Sequence, residues 1–215
     1  MNAAPPLFPH ELDGLALGDS IIISGGAVYA HLKRGEPIRV NCSSKWRASV
    51  SAFYRNYPGI QVTDAVFTGD PKVRELYPKY TLFGPPMAWY RGFGVKGGTP
   101  FSARWDYCPI TALAREIEPV EGPEIFVHDD ASRGYVVPVE GYRPPFTESL
   151  LDHVPYLKTA REIHCMESSI MHLLESMERV AGKLFFYPKA KPGYIVPVKS
   201  IGYPPLPLKH DWEFV

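Results

Sequence analysis

The chain has 215 residues, enough for one substantial domain or two small ones, and its 45% hydrophobic and 21% charged residues are ordinary for a soluble globular protein. Its formal net charge is +0 at pH 7, so no global charge favours a nucleic-acid or membrane partner. No apolar run approaches the roughly 20 residues of a membrane span, and the N-terminus lacks the basic and apolar regions of a signal peptide, so we expect a cytoplasmic protein.

The cysteines of the chain are Cys42, Cys108 and Cys165, which are widely spaced and include no C-x-x-C pair. An odd number with this spacing argues against a disulfide framework and against a structural zinc site. We therefore expect reduced thiols in the core. No feature of the sequence indicates an obligate protein partner.

Strand-like and helix-like segments alternate through the first half of the chain. The pattern predicts helices over 20–35, 44–59 and 70–80, and strands over 37–43, 60–67 and 81–84. The stretch 84–109 is different, because it is rich in glycine, proline and aromatic residues and has no clear period. A loop of this length in a compact domain is usually functional, and its aromatic residues argue against disorder.

The same alternation returns in the second half. Helical segments are predicted over 111–117, 148–160 and 169–180, and strands over 123–130, 133–139, 163–166 and 183–187. Strands that alternate with helices of this length are typical of βαβ units with a parallel sheet. We therefore predict a compact α/β fold of two Rossmann-like domains, residues 1–112 and 113–215, with parallel sheets that face a cleft.

One candidate site is the triplet His128, Asp129 and Asp130, which follows a buried strand. Ligands of open parallel sheets bind beyond the carboxyl ends of the strands, so the triplet could line a ligand pocket. A solvated turn is the alternative, and a metal site is less favoured because neighbouring strand residues point to opposite faces. Arg133, close behind, could bind phosphate as a planar fork or form an ion pair with Asp129 or Asp130.

A second candidate site is the run Glu167, Ser168 and Ser169, between a predicted strand and a predicted helix. The first N–H groups of a helix, with hydroxyls beside them, can bind an anion such as a diphosphate. The alternative is that Ser168 only caps the helix. The chain contains no G-x-x-x-x-G-K-[ST] motif, so it is not a P-loop ATPase.

The first half offers a carboxylate near a helix start, Asp19, which follows Gly18. An aspartate in this position commonly caps the helix. The alternative is a carboxylate at the cleft that serves as a general base.

The aromatic stretch has an unusual charge pattern, because residues 76–105 contain no Asp or Glu. Basic groups among aromatic rings suit a stacked sugar, or an unstacked nucleobase beside phosphates. The alternative is a core-packing loop whose cations are merely solvated. The candidate acceptor-binding residues are Trp89, Tyr90, Arg91, Lys96, Arg104 and Trp105.

Taken together, the motifs resemble those of the GT-B glycosyltransferases. "LGD" before a helix, "HDD..RG", "EIHC.ESS..HLLE" and "GKLFFYP" follow in this order between residues 17 and 188. The nearest similarity is to the ADP-heptose-type transferases of glycosyltransferase family 9, and to small bacterial and viral relatives with an "RW" such as Arg104-Trp105. The resemblance implies two Rossmann-like domains, a nucleotide-sugar bound mainly by the C-terminal domain, no metal, and no cofactor beyond the donor.

Carried over by position, the resemblance also implies roles for individual residues. Asp19 would be the general base that accepts the proton of the acceptor hydroxyl. Ser168 and Ser169 would hold the donor diphosphate at the helix N-terminus. The rest of the donor pocket would be formed by His128, Asp129, Asp130, Arg133, Glu167 and His172.

The function that the sequence predicts is transfer of a sugar from a nucleotide-sugar to the hydroxyl of a glycan or lipid-linked saccharide. Two alternatives stay open: phage-type transfer to a hydroxymethylated base in DNA, and a non-catalytic nucleotide-binding relative that kept the fold. The neutral net charge argues against DNA, because phosphate contacts normally require a basic surface.

Overall fold

The computed structural model of the chain describes residues 17–35, 37–63, 105–188 and 208–215, except for the side chains of Asp19 and Asn41. Contacts between residues divide the chain into two units, Met1–Pro109 and Ile110–Val215. The domain boundary predicted at residue 112 lies three residues beyond this division. The helix predicted over 70–80 and the strand predicted over 81–84 lie outside the described residues.

Unit 1 contains the elements α1 (Leu17–Arg34), β1 (Ile38–Asn41), α2 (Arg47–Phe53) and β2 (Ile60–Thr63), with a 3-10 turn at Ser44–Trp46 before α2. The strands β1 and β2 pair in parallel. The helices and strands predicted in this part of the chain are therefore confirmed, with α1 starting three residues earlier than predicted and α2 ending six residues earlier.

Two glycines fix the ends of these elements. Gly35 has φ +66 and donates its N–H to the carbonyl of His31, as a left-handed residue after a helix does, so it ends α1 as predicted. Gly59 precedes β2, and a Cβ atom there would lie 2.2 Å from Cε1 of His31. A larger residue at this position would therefore require the His31 side chain to move away from the start of β2.

Unit 2 carries a four-stranded sheet, formed by β3 (Ile125–His128), β4 (Glu162–Cys165), β5 (Lys183–Phe186) and β6 (Trp212–Phe214). All described neighbours in this sheet are parallel, in the order β3-β4-β5-β6. The parallel α/β architecture that the sequence predicts is confirmed. The described strands follow the order of the chain without a reversal, so they contain no switch point, the place where doubly wound sheets bind ligands.

The helices of this part of the chain are α3 (Pro109–Glu116), which begins at the last residue of unit 1, α4 (Val154–Leu157) and α5 (Ser169–Ser176). A 3-10 turn, Leu150–His153, leads into α4. The three predicted helical segments are confirmed, although 169–180 is shorter than predicted. None of the helices in the described ranges is long and apolar enough to cross a membrane.

The predicted strand over 133–139 is wrong. This segment makes only an isolated bridge, between Asp130 and Tyr135, while Tyr142 bridges to Phe126 of β3. Gly134 at φ +78 turns the chain back on itself, and Pro138 has no N–H to donate to a ladder. The segment is therefore a loop against β3 and not a strand of the sheet.

The core of unit 2 lies on both faces of the sheet. On one face, Trp212 of β6 donates its indole N–H to Glu175 of α5, so this helix lies against that face. On the other face, Val127 and Tyr187 pack with Val137 of the loop. A short loop segment thus covers part of a face on which the strands also carry polar residues.

All three cysteines are buried. Burial raises the pKa of the Cys165 thiol far above its ordinary value, because the thiolate would lose its hydration in the core. These placements agree with the expected role as core residues, and they make Cys165 a poor nucleophile.

The strand β6 was not predicted from the sequence, and a buried carboxylate holds it in place. Glu175 of α5 is fully buried and accepts hydrogen bonds from the backbone N–H groups of Lys209 and His210 and from the indole of Trp212. Lys209 Nζ and His210 Nε2 also contact the carbonyl of Met177 just after α5, at 2.6 and 3.2 Å. The C-terminal segment is therefore tied to α5 at several points.

We predict that Glu175→Gln lowers the free energy of unfolding by at least about 1.5–3 kcal/mol, the net strength of one hydrogen bond to a charged group. The amide keeps one acceptor oxygen but turns an N–H donor toward donors of the C-terminal segment. Urea unfolding followed by circular dichroism measures the change. Glu178→Gln is the control, because Glu178 is 58% exposed in its ion pair with Arg115 and should cost only about 0–1 kcal/mol. Equal effects of the two substitutions would refute the anchoring role of Glu175.

Candidate functional site

The carboxyl edge of the sheet in unit 2 brings the two predicted donor clusters to one place. His128 pairs with Cys165 in the parallel register of β3 and β4, and the N–H of Met166 donates to the carbonyl of His128 at 3.3 Å. The residues that follow the two strands therefore leave the sheet side by side. One group is 128–134 and the other is 167–172.

Asp129 forms the base of the loop that follows β3. Its side chain is only 5% exposed and accepts hydrogen bonds from the N–H of Val137 at 3.0 Å and from Nε and Nη2 of Arg143 at 3.2 and 3.1 Å. Arg143 Nη2 also donates to the carbonyls of Val137 and Val139, both at 3.0 Å. Asp129 is thus surrounded by groups of its own loop, a structural role that the sequence did not indicate.

Asp130 organises the next turn. It accepts hydrogen bonds from Ser132 Oγ and Arg133 Nε, both at 2.6 Å, and these two contacts hold the pKa of its carboxyl below the ordinary value. The ion pair between Arg133 and Asp130, one of the two alternatives for this arginine, is present. Arg133 is still 62% exposed, and its guanidinium lies 5.4 Å from the centre of the Tyr135 ring.

His128 ends β3 and is half-buried. In the described parts of the chain, no group of three or more His, Cys, Asp or Glu side chains is placed to hold a metal ion. The carboxylates of Asp129 and Asp130 are instead engaged by arginines, as described above.

The start of α5 forms the second half of the edge. Ser168 is the N-cap residue, and its Oγ accepts a hydrogen bond from the N–H of Met171 at 3.3 Å, so the capping alternative for this serine is confirmed. Ser169 is the first helical residue and is half-buried. Glu167 and His172 are both buried, with 5% and 4% exposure.

Most of the predicted acceptor-binding residues lie outside the described residues, namely Trp89, Tyr90, Arg91, Lys96 and Arg104. Trp105 is described, and it is half-buried in a helical turn of unit 1. Asp19 is the third residue of α1, within the first turn and not before it, where a negative charge is favourable to the helix dipole. The side chain of Asp19 is not among those that the structure describes, so its role as general base stays a prediction.

The sequence did not lead us to predict a polar cluster around the buried His164 on the sheet. His164 of β4 contacts Tyr187 Oη through Nδ1 at 2.9 Å and Glu162 through Nε2 at 3.3 Å, and its ring is stacked 4.4 Å from that of Phe185. Burial is the main reason that the pKa of Tyr187 is raised, and the nearby carboxylates of Glu162 and Glu213 raise it further. Alternate residues of adjacent strands share a face, so the predicted strands were enough to place His164, Phe185 and Tyr187 on the same face of the sheet.

No protein-family model, no curated protein and no solved structure matches the chain. The resemblance to GT-B glycosyltransferases therefore rests on the sequence motifs. The parallel sheet and its carboxyl edge supply the physical setting in which those motifs can be interpreted.

We predict that Ser168→Ala destabilises the protein by about 0.5–2 kcal/mol, because the N–H of Met171 loses its capping acceptor. Ser169→Ala is the matched control and should change stability by less than about 0.5 kcal/mol. Ser169 is the first helical residue and not the cap, and alanine has a higher helix propensity than serine. Urea unfolding of the two variants measures the difference. A Ser168 variant as stable as the Ser169 variant would show that the cap contributes nothing.

Proposed function

We propose that the chain is a glycosyltransferase that moves a sugar from a nucleotide-sugar to an acceptor hydroxyl, with the donor diphosphate bound at the carboxyl edge of β3 and β4. The observation that supports this proposal is the parallel pairing of these two strands. It brings the loop with Arg133 and the N-terminus of α5 to the same carboxyl edge of the sheet, because each follows one of two adjacent strands.

The charges at this edge suit a diphosphate. The N-terminus of α5 has the positive end of the helix dipole, and its first-turn N–H groups point along the helix axis out of this end. Arg133 adds a guanidinium that remains largely exposed while Asp130 orients it through Nε. A charged donor of this kind can bind two phosphate oxygens with its planar fork.

The carboxylates at the edge do not oppose an anion as strongly as their number suggests. Asp129 is paired with Arg143 and Asp130 with Arg133, so both negative charges have a positive partner beside them. In this proposal Glu167, just before the N-cap residue, contacts the nucleoside of the donor.

The proposed reaction breaks the bond between the anomeric carbon and the diphosphate and forms a bond to the acceptor oxygen. Asp19 takes the acceptor's proton, and the nucleoside diphosphate leaves with its electron pair. Arg133 and the dipole of α5 stabilise the charge on the leaving group, so the proposed reaction does not require a metal cation. The acceptor is a glycan or lipid-linked saccharide. Hydroxymethylated DNA is the alternative, which the basic and aromatic residues of the stretch 76–105 suggest.

We predict that one nucleotide-sugar from a panel of uridine, guanosine, adenosine and cytidine diphosphate sugars raises the melting temperature of the protein. A ligand that binds only the folded state at 100 times its Kd adds about 2.7 kcal/mol of stability. Arg133→Gln should weaken binding by about 1.5–3 kcal/mol, the net strength of a charged hydrogen bond.

The matched control for this measurement is Arg115→Gln. Arg115 is 65% exposed and also paired with a carboxylate, that of Glu178, but it belongs to α3 and not to the carboxyl edge. It should leave binding unchanged. The proposal fails if no donor stabilises the wild-type protein, or if the two arginine variants lose affinity equally.

We predict that Asp19→Asn lowers kcat by about 10²–10⁴, because the amide cannot accept the acceptor's proton, while donor affinity stays the same. Release of the nucleoside diphosphate from the donor identified by the panel measures the rate. Asp106→Asn serves as the control, since Asp106 is an exposed aspartate of the same unit. Normal turnover by the Asp19 variant would remove Asp19 as base, and donor binding without turnover in the wild-type protein would favour the non-catalytic relative.

A further inference from the structure

We infer that Arg143 is a positioning residue: with Asp129 it forms a clamp that holds the loop 130–142 in place and so presents Arg133 to the donor diphosphate. The ligand named in this inference rests on the proposed function. The clamp itself, defined here as the Asp129–Arg143 pair, rests on the geometry of the loop alone. No motif in the sequence pointed to Arg143.

Both halves of the clamp are fixed to β3. Asp129 directly follows the last strand residue. Arg143 follows Tyr142, whose N–H donates to the carbonyl of Ile125 and whose carbonyl accepts from the N–H of Val127, at 2.9 and 2.8 Å. At Gly141, a Cβ would lie 2.8 and 2.9 Å from methyl groups of Val127 and Ile125, so the chain approaches β3 as closely as only glycine permits.

The clamp binds the backbone of the loop at Val137. Asp129 accepts the N–H of Val137, and Arg143 donates to its carbonyl, so both backbone groups of this residue are bound by the pair. Beyond this point, Asp130 and Tyr135 exchange two backbone hydrogen bonds of 2.9 and 3.0 Å. Arg133 therefore lies in a small turn that is closed once by backbone bonds and a second time by the clamp.

Apolar packing contributes little order to this turn. Residues 131–134 are all exposed, and Val137 is the buried residue that connects the loop to the sheet face. Because few buried contacts hold such a segment, its order depends on hydrogen bonds and on the ion pair. A preformed turn spares the ligand the cost of ordering Arg133, which is how preorganisation raises affinity.

Arg143→Lys tests the clamp, because lysine keeps the positive charge but cannot reproduce the fork that contacts Asp129 and two carbonyls. Arg161→Lys is the control, since Arg161 is 77% exposed in its ion pair with Glu124. Asp129→Asn supplies a second variant that disturbs the clamp from its other side, should Arg143→Lys not fold.

The first measurement is amide hydrogen exchange of the ligand-free, full-length protein. We expect at least about tenfold faster exchange at Tyr135 and Val137 in the Arg143 variant, with β4 and α5 unchanged, as in a local opening of a weakly packed segment. Unchanged exchange at these amides, or exchange that rises equally throughout unit 2, overturns the clamp.

The second measurement is the Kd for UDP, GDP, ADP and CDP by calorimetry. We expect the Arg143→Lys variant to bind its nucleotide about 3- to 10-fold more weakly, the scale on which ordering one long side chain affects binding. In an Arg133→Gln background, Arg143→Lys should cause almost no further loss, because the clamp acts through Arg133. A merely structural clamp would give no such coupling.

The outcomes separate the clamp from the proposed function. Faster exchange with unchanged Kd, or a loss of affinity of equal size with and without Arg133, refutes the positioning role while the glycosyltransferase proposal stands. A wild-type protein that binds none of the four nucleotides counts against both the donor site and the positioning role. The exchange measurement still decides in that case whether the Asp129–Arg143 pair orders the loop.

Discussion

The parallel pairing of β3 with β4 is the constraint on which the rest of unit 2 depends. Backbone hydrogen bonds set the register that places His128 beside Cys165, and this register decides which residues leave the sheet together. A slip by one residue would turn every side chain of a strand to the opposite face. The carboxyl edge, the helical layer and the loop that covers the other face all follow from this one alignment.

Two buried carboxylates add hydrogen bonds that hold two segments of unit 2 in place beside the apolar core. Asp129 binds the loop after β3, and Glu175 binds the segment that carries β6. Each accepts several N–H donors, which offset the cost of removing the charge from water. These charge-assisted hydrogen bonds thus act together with the apolar packing of Val137 and Trp212.

The candidate site was predicted in part, and the limits have identifiable causes. Ser168 was recognised because an N-cap is a local signal, set by the residues of one helical turn. The ion pair of Arg133 with Asp130 was similarly within reach, since the two residues are three apart. Arg143 was missed because it lies 14 residues from Asp129, and only the course of the loop brings them together.

The sequence by itself determined the α/β class, the parallel strands, the helices α1 and α5, and the candidate residues that follow each strand. These depend on spacing within a few residues, which is visible without a structure. Only the tertiary structure decided that 133–139 is a loop, that β6 joins the sheet, and that Glu175 holds it over 34 residues of separation. Such pairs form because the folded backbone brings distant groups into reach, and no local periodicity records that distance.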